Sequence, residues 1–213
     1  MSPAAQATAA RRRRASQRAA MRRRRAFLFV AMLGALAIGF ALLAPLFRTA
    51  VRDLTLPLEH ASEIRQQAQE KNLDPALIAG VIYAESKFVD QTSPVGALGL
   101  MQLMPETARF IAERSGGTAF TIEDLSTPEV NIAYGSWYLR YLLDHYDGEE
   151  VRALAAYNGG MGNVNEWIEE ARARGGEFSE ADITFPETRE YVDRVRTARR
   201  DYAQTYGAEL GIR

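Results

Sequence analysis

The sequence predicts a mostly α-helical protein, a helical domain with a single transmembrane helix ahead of it. Three observations carry this prediction. Beyond Pro57 the apolar residues recur at helical spacing between prolines and glycines that open and close segments. No sustained period-2 alternation marks a strand, and no Asn-Gly or Asp-Gly lies between two β-branched runs as a hairpin would require. Ahead of that region, Ala26 to Phe47 is a run of 22 residues without a charge.

Taken in order, residues 1–25 are rich in Arg and Ala and are expected to be a basic, disordered cytoplasmic segment drawn to anionic head groups. Residues 26–47, at about 1.5 Å per residue, are long enough to cross the roughly 30 Å hydrocarbon core of a bilayer once. Nine arginines precede this run, and only Arg48 and Arg52 follow closely. That asymmetry keeps the N-terminus cytoplasmic and sends the remainder outside the plasma membrane. A cleavable signal would have a shorter apolar region, and the small-residue site near Leu42 to Ala44 is followed at once by Pro45, so an uncleaved anchor is expected. Residues 48–57 form a linker ending at Pro57, residues 58–205 the folded domain, and residues 206–213 a C-terminal tail.

Within the domain, Glu59 to Lys71 reads as a helix. Asp74 then supplies an N-cap and Pro75 a first-turn residue for a helix running through Ser86. Pro105 opens another, closed by Gly116-Gly117, and Thr127-Pro128 opens a longer one that Gly148 ends. In that long helix Ile132, Gly135, Ser136, Leu139, Leu142 and Leu143 share one face and are expected in the core. Further helices fit Glu149 to Tyr157, Asn163 to Arg174, and Pro186 to about Thr205.

Charge separates these parts. Residues 1–47 hold nine of the 26 basic residues and none of the 27 acidic ones, leaving 17 against 27, a net of −10, on everything after Phe47. An acidic domain does not suit a nucleic-acid substrate, which needs a basic footprint. The absence of cysteine excludes disulfides, thiolate metal sites and a lipid-modified N-terminal cysteine. No metalloprotease HExxH, no Gly-x-Ser-x-Gly elbow and no phosphate loop occurs, so neither a metal nor another cofactor is expected.

Glu85 is the residue type and position that suggests chemistry. Ile78, Val81 and Ile82 stand seven, four and three residues before it, which puts its carboxyl on the apolar face of the Pro75 helix. Burial and the negative end of the helix dipole both disfavour the carboxylate, so the pKa should rise and leave a general acid near neutral pH. A carboxyl kept protonated in an apolar pocket is what glycoside cleavage requires. Two other strings could build a ligand groove. Gly96 to Pro105 is a glycine-hinged apolar loop carrying Gln102, and Ala156-Tyr157-Asn158-Gly159-Gly160 ends a helix with a ring and an amide, the pairing that sugars need.

Together these strings resemble the peptidoglycan lytic transglycosylases of the soluble-lytic-transglycosylase (SLT domain, family 1) type. The match runs in order through Glu85-Ser86, Gly99-Leu100-Met101-Gln102 to Pro105, Ala156-Tyr157-Asn158-Gly159, and Pro186-Glu187-Thr188-Arg189 with Tyr191, from about Leu58 to about Tyr202. The resemblance implies a goose-type-lysozyme-like helical fold with a substrate groove. It implies Glu85 as the single catalytic acid and base, Ser86 as support for that acid and the bound sugar, and Met101 with Gln102 lining the adjacent subsite. Tyr157 and Asn158 correspond to ring and acetamido contacts, and Glu187 to a second acidic residue used for substrate binding.

The activity implied is non-hydrolytic cleavage of the MurNAc-GlcNAc β-1,4 bond of peptidoglycan to 1,6-anhydromuramyl products. Partners implied are peptidoglycan glycan strands, the plasma membrane through one helix, and cell-wall synthesis or division machinery. The residues leave two alternatives open: a muramidase that activates water on the same fold, and a non-catalytic peptidoglycan-binding scaffold. The segments Phe120 to Leu125 and Gly175 to Thr184 are expected to shape the ends of the groove.

Overall fold

The computed structural model describes residues 55–117 and 119–212, together with Met32 and Phe40. The expected cytoplasmic segment and, apart from those two positions, the expected transmembrane run at 26–47 lie outside the described residues. Among the described residues no helix is long and apolar enough to cross a membrane. The folded unit runs from Leu56 to the C-terminus. It contains α1 (Ala61–Lys71), α2 (Pro75–Ser86), α3 (Pro105–Ser115), α4 (Pro128–His145), α5 (Glu150–Gly159), α6 (Met161–Ala173) and α7 (Pro186–Tyr206), with 3₁₀ turns at Ile122–Ser126 and Glu180–Asp182. The mostly helical expectation holds. Extended pairing among the described residues is limited to isolated bridges, Thr92 with Leu98 and Leu98 with Leu103.

The punctuation works as local physics requires. Asp74 caps α2 by accepting the Ala76 amide at 2.8 Å, Pro75 occupies the first turn, and Gly116 ends α3 in the left-handed conformation. The free oxygen of Asp74 takes Arg199 Nε at 2.7 Å, and the same guanidinium bonds Glu150, so one arginine of α7 joins the starts of α2 and α5.

Helix α2 is apolar all round: Ala76 through Ile82 are buried without a gap. A helix without a polar face belongs at the centre, and α7 packs along it. At Gly80 an added Cβ would stand 2.9 Å from the Val195 carbonyl oxygen, so the two backbones meet because this position lacks a side chain. Helix α4 buries the face read from its sequence, Ile132, Gly135, Ser136, Leu139, Leu142 and Leu143. A smaller apolar cluster of Leu103, Ala108, Ile111 and Leu125 lies under α3 and the first 3₁₀ turn.

Both ends of the unit are tied down. The hydroxyl of Tyr206 donates to the Leu56 carbonyl at 2.7 Å, and Tyr202 donates to that of Pro57. Residues 206–212 pack on the domain rather than trail from it: Leu210 is 1% exposed, and the Ile212 amide bonds back to the Gly207 carbonyl at 2.7 Å.

Candidate active site

Glu85 and Ser86 form the last turn of α2, where the chain must leave the core. Lys87 and Phe88 both take positive φ (53° and 64°), turning the backbone sharply while the Phe88 ring returns to the core, 5.8 Å from Tyr202. The loop that follows carries Gly99 to Gln102. At Gly99, φ is +74° and an added Cβ would lie 2.1 Å from Asn131 Nδ2, so both the backbone conformation and the space demand glycine.

Hydrogen bonds hold this loop against three helices. The Ser86 hydroxyl donates to the Leu100 carbonyl at 2.7 Å, with a longer contact to Ile82 at 3.2 Å. The Tyr157 hydroxyl at the end of α5 donates to the Met101 carbonyl at 3.0 Å. From α4, Asn131 accepts the Met101 amide at 2.8 Å and donates to the Leu98 and Leu125 carbonyls at 2.9 and 3.0 Å. Gln102, at φ +47°, donates its amide to the Gly99 and Gln91 carbonyls at 2.7 and 3.0 Å, leaving Oε1 as its outward acceptor.

The carboxyl of Glu85 meets the remaining elements. Burial pushes its pKa up to about 7, against smaller lowering effects from the Tyr191 hydroxyl and the positive charge of Arg194. The helix end acts in the same direction as burial. Tyr157 and Tyr191 feel the reciprocal effect: burial first, then the Glu85 charge, raises both phenols well above their ordinary value, so both remain protonated donors. Tyr191 is buried, and its hydroxyl finds no partner at full hydrogen-bonding geometry. Its interaction with Glu85 is therefore long or bent. The Arg194 guanidinium lies 5.9 Å over the Tyr191 ring.

The site residues read from the sequence fall into two groups. Glu85, Tyr157 and, through the loop, Ser86 and Gln102 come together. Asn158 is exposed and accepts the Thr188 hydroxyl at 2.8 Å, which joins the α5 end to the first turn of α7. Glu187, next to Thr188, is exposed on that turn. Two of the site residues are buried. Met101 is 0% exposed, seated against Gly135 so closely that a Cβ there would meet its sulfur at 2.3 Å. Helix α4 offers a side-chain-free hollow for it at Gly135. The Ser86 hydroxyl, 5% exposed, gives its proton to the Leu100 carbonyl and so holds the loop.

Asn131, Arg194 and the part played by the Tyr191 hydroxyl were missed from sequence. A signal existed for the first: Asn131 stands four residues before Gly135 in the buried row of α4, and a buried amide must satisfy its polar atoms. A proton donor with a pKa near 7, at the end of α2 and coupled to two neutral phenols, is suited to protonating a leaving oxygen.

Comparison with known proteins agrees with this architecture. The family model described as "Transglycosylase SLT domain" matches residues 62–178. The soluble lytic murein transglycosylase of Salmonella typhimurium is 34% identical over 148 residues, covering 65% of this chain and 22% of that protein. Membrane-bound lytic murein transglycosylase F of Pasteurella multocida is 36% identical over 113 residues, 50% of this chain and 21% of the relative. Among solved structures, an inactive mutant of lytic transglycosylase Slt from Pseudomonas aeruginosa superposes with a TM-score of 0.66 at 33% identity, covering 74% of this chain and 26% of that one. The chain thus spans about a fifth to a quarter of the length of these relatives.

Proposed function

The chain belongs to the transglycosylase SLT domain family, and on that premise we propose that it is a peptidoglycan lytic transglycosylase in which Glu85 acts first as acid and then as base. The observation that carries this reading is the half-buried Glu85 carboxyl, its pKa raised to about 7 and coupled to the Tyr157 and Tyr191 phenols.

In the proposed course, protonated Glu85 gives its proton to the glycosidic oxygen between MurNAc and GlcNAc as the C1–O bond breaks. The carbonyl oxygen of the MurNAc acetamido group bonds to C1 in its place. The Glu85 carboxylate then takes the proton of the C6 hydroxyl, O6 attacks C1, and the acetamido oxygen departs. The product is a 1,6-anhydro sugar, no water is consumed, and Glu85 is protonated again. Substrate assistance makes a carboxylate nucleophile unnecessary. Tyr191 would steady the carboxylate between the two steps, while Gln102 Oε1, Asn158 and Glu187 offer polar groups to the sugar.

In this reading residues 26–47 anchor the enzyme in the plasma membrane with the domain outside, supported by the uncharged run and the arginines before it. The short linker would keep cleavage close to the membrane, where cell-wall synthesis or division machinery would meet it. Membrane extraction of the full chain against a chain lacking residues 1–47 tests the anchor.

The activity is tested by mass spectrometry of muropeptides released from purified peptidoglycan by the full chain, with Glu85→Gln alongside. Products one water lighter than hydrolytic ones, absent with the variant, are expected. Reducing-end products would make it a muramidase, and no release by folded protein would make it a binding scaffold.

A further inference from the structure

Tyr157 does not stand alone beside Glu85. Its ring lies 5.5 Å from that of Tyr138 on α4, and from Tyr138 a set of aromatic side chains continues along the same helix. Tyr138 and Tyr141 are 6.3 Å apart with planes 11° from parallel, and Trp137 and Tyr141 are 5.5 Å apart at 7°. The three rings thus share nearly one orientation. Phe110 of α3 stands edge-on to all of them, at 70°, 81° and 72° to Trp137, Tyr138 and Tyr141, and braces them as a group.

Ordinary helix packing needs no such arrangement. Leucine or phenylalanine would fill the α3–α4 contact, yet these three positions carry rings with polar tips, and each is only half-buried. Among the described residues the buried, unpartnered side-chain polar atoms are Ser136 Oγ, Arg140 Nε and Tyr191 Oη. No hydrogen bond from Trp137, Tyr138 or Tyr141 to the described residues fixes these rings, and burial raises the Tyr138 phenol above its ordinary value, as expected where the row meets Tyr157. Half-buried rings held parallel by an internal brace suit a ligand that presents flat apolar faces in series. A pyranose strand is such a ligand. Tyr141 stands about one helical turn, ~5.4 Å, beyond the neighbouring Trp137 and Tyr138, so the rings extend away from Tyr157 along the helix axis.

We propose that Trp137, Tyr138 and Tyr141 form a stacking track for the peptidoglycan glycan strand, extending the groove from Tyr157 along α4. This rests on the reading of the groove as a glycan-cleaving site. The track adds subsites away from the scissile bond, so it favours long strands over short ones and leaves the chemistry at Glu85 unchanged.

The test uses the full chain and two substrates: long glycan strands stripped of their peptides, and the shortest oligosaccharide of the same repeat that the unaltered chain cleaves. The double variant Trp137→Leu/Tyr141→Leu keeps apolar packing and removes the stackable faces. It is expected to lose about tenfold in kcat/KM on long strands, through KM, and to match the unaltered chain on the short substrate. The variant Trp137→Phe/Tyr141→Phe restores rings and is expected to recover most of the loss. Equal rates for the Leu and Phe variants on long strands, or an equal loss on both substrates, would overturn the track. Failure of the unaltered chain to cleave either substrate would overturn the glycan-cleaving reading instead.

Discussion

The Ser86 hydroxyl donates to the carbonyl of Leu100 at 2.7 Å, across 14 residues of chain. Through that bond the helix bearing Glu85 holds the loop that faces it. Ser86→Ala leaves the Leu100 carbonyl buried without its donor, a loss of about 1–3 kcal/mol. Thermal unfolding is expected to move down accordingly, and cleavage to fall through loosening of the loop while the pH profile keeps its shape. A changed profile would mean that Ser86 acts on the Glu85 proton directly.

Asn131 satisfies three backbone groups at once from a position 0% exposed. Asn131→Ala strands one amide and two carbonyls, and a loss of about 2–4 kcal/mol is expected, larger than for Ser86→Ala. Asn131→Asp should be worse, since a carboxylate would face the Leu98 and Leu125 carbonyls with no donor. Denaturant unfolding of the three proteins orders them; Asp as stable as Asn would refute the assignment.

Glu85 itself should reduce stability as it ionises. Its folded pKa, about 7, lies above the ordinary 4.5, so the folded state binds the proton more tightly than the unfolded one. That advantage is complete below about pH 4.5 and is lost as pH rises through 7, by up to about 3 kcal/mol. Glu85→Gln carries no such group. It is expected to abolish cleavage yet unfold at a higher temperature than the parent at pH 8, with the difference vanishing near pH 4. Parallel curves across that range would show that the carboxyl is not desolvated.

Arg194 lowers the Glu85 pKa through its charge and rests on the Tyr191 ring. In the proposed course the protonated acid is the working form, so cleavage should decline as pH passes about 7, and Arg194→Ala should move that decline to higher pH. Arg194→Lys should hold it near its original place. A rate profile displaced downward by Arg194→Ala would contradict the electrostatic role.

Gly135→Ala tests the hollow beneath the loop. The new Cβ would meet Met101 Sδ at 2.3 Å and its Cβ at 2.8 Å. Methionine can shift only by disturbing the loop whose carbonyl Tyr157 holds, so a loss of about 1–3 kcal/mol with reduced cleavage is expected. Calorimetry beside an activity assay checks both.

The helices were legible because their signals are local. Proline-opened starts at Pro75, Pro105, Pro128 and Pro186 coincide with observed first residues, and the apolar face of α4 lies where its spacing put it. Glu85 was legible for the same reason: three apolar residues on its own helix already predict a desolvated carboxyl. The order of four short motifs, from Glu85 to Tyr191, was enough to indicate the family.

What the chain could not announce by itself was which groups would meet across long separations. Met101 carries the same apolar side chain whether exposed or buried, and only the approach of α4 at Gly135 decides between them. Ser86 and Asn131 are polar residues whose partners lie 14 or more positions away along the chain. The pairing of Tyr191 with Glu85 depends on how α7 lies against α2, a packing made possible at Gly80. Helical spacing is written in neighbouring residues, whereas the partners of a buried polar atom are chosen by the packing of distant elements, which is why the fold class and the acid came from the sequence and the supports of that acid came from the tertiary structure alone.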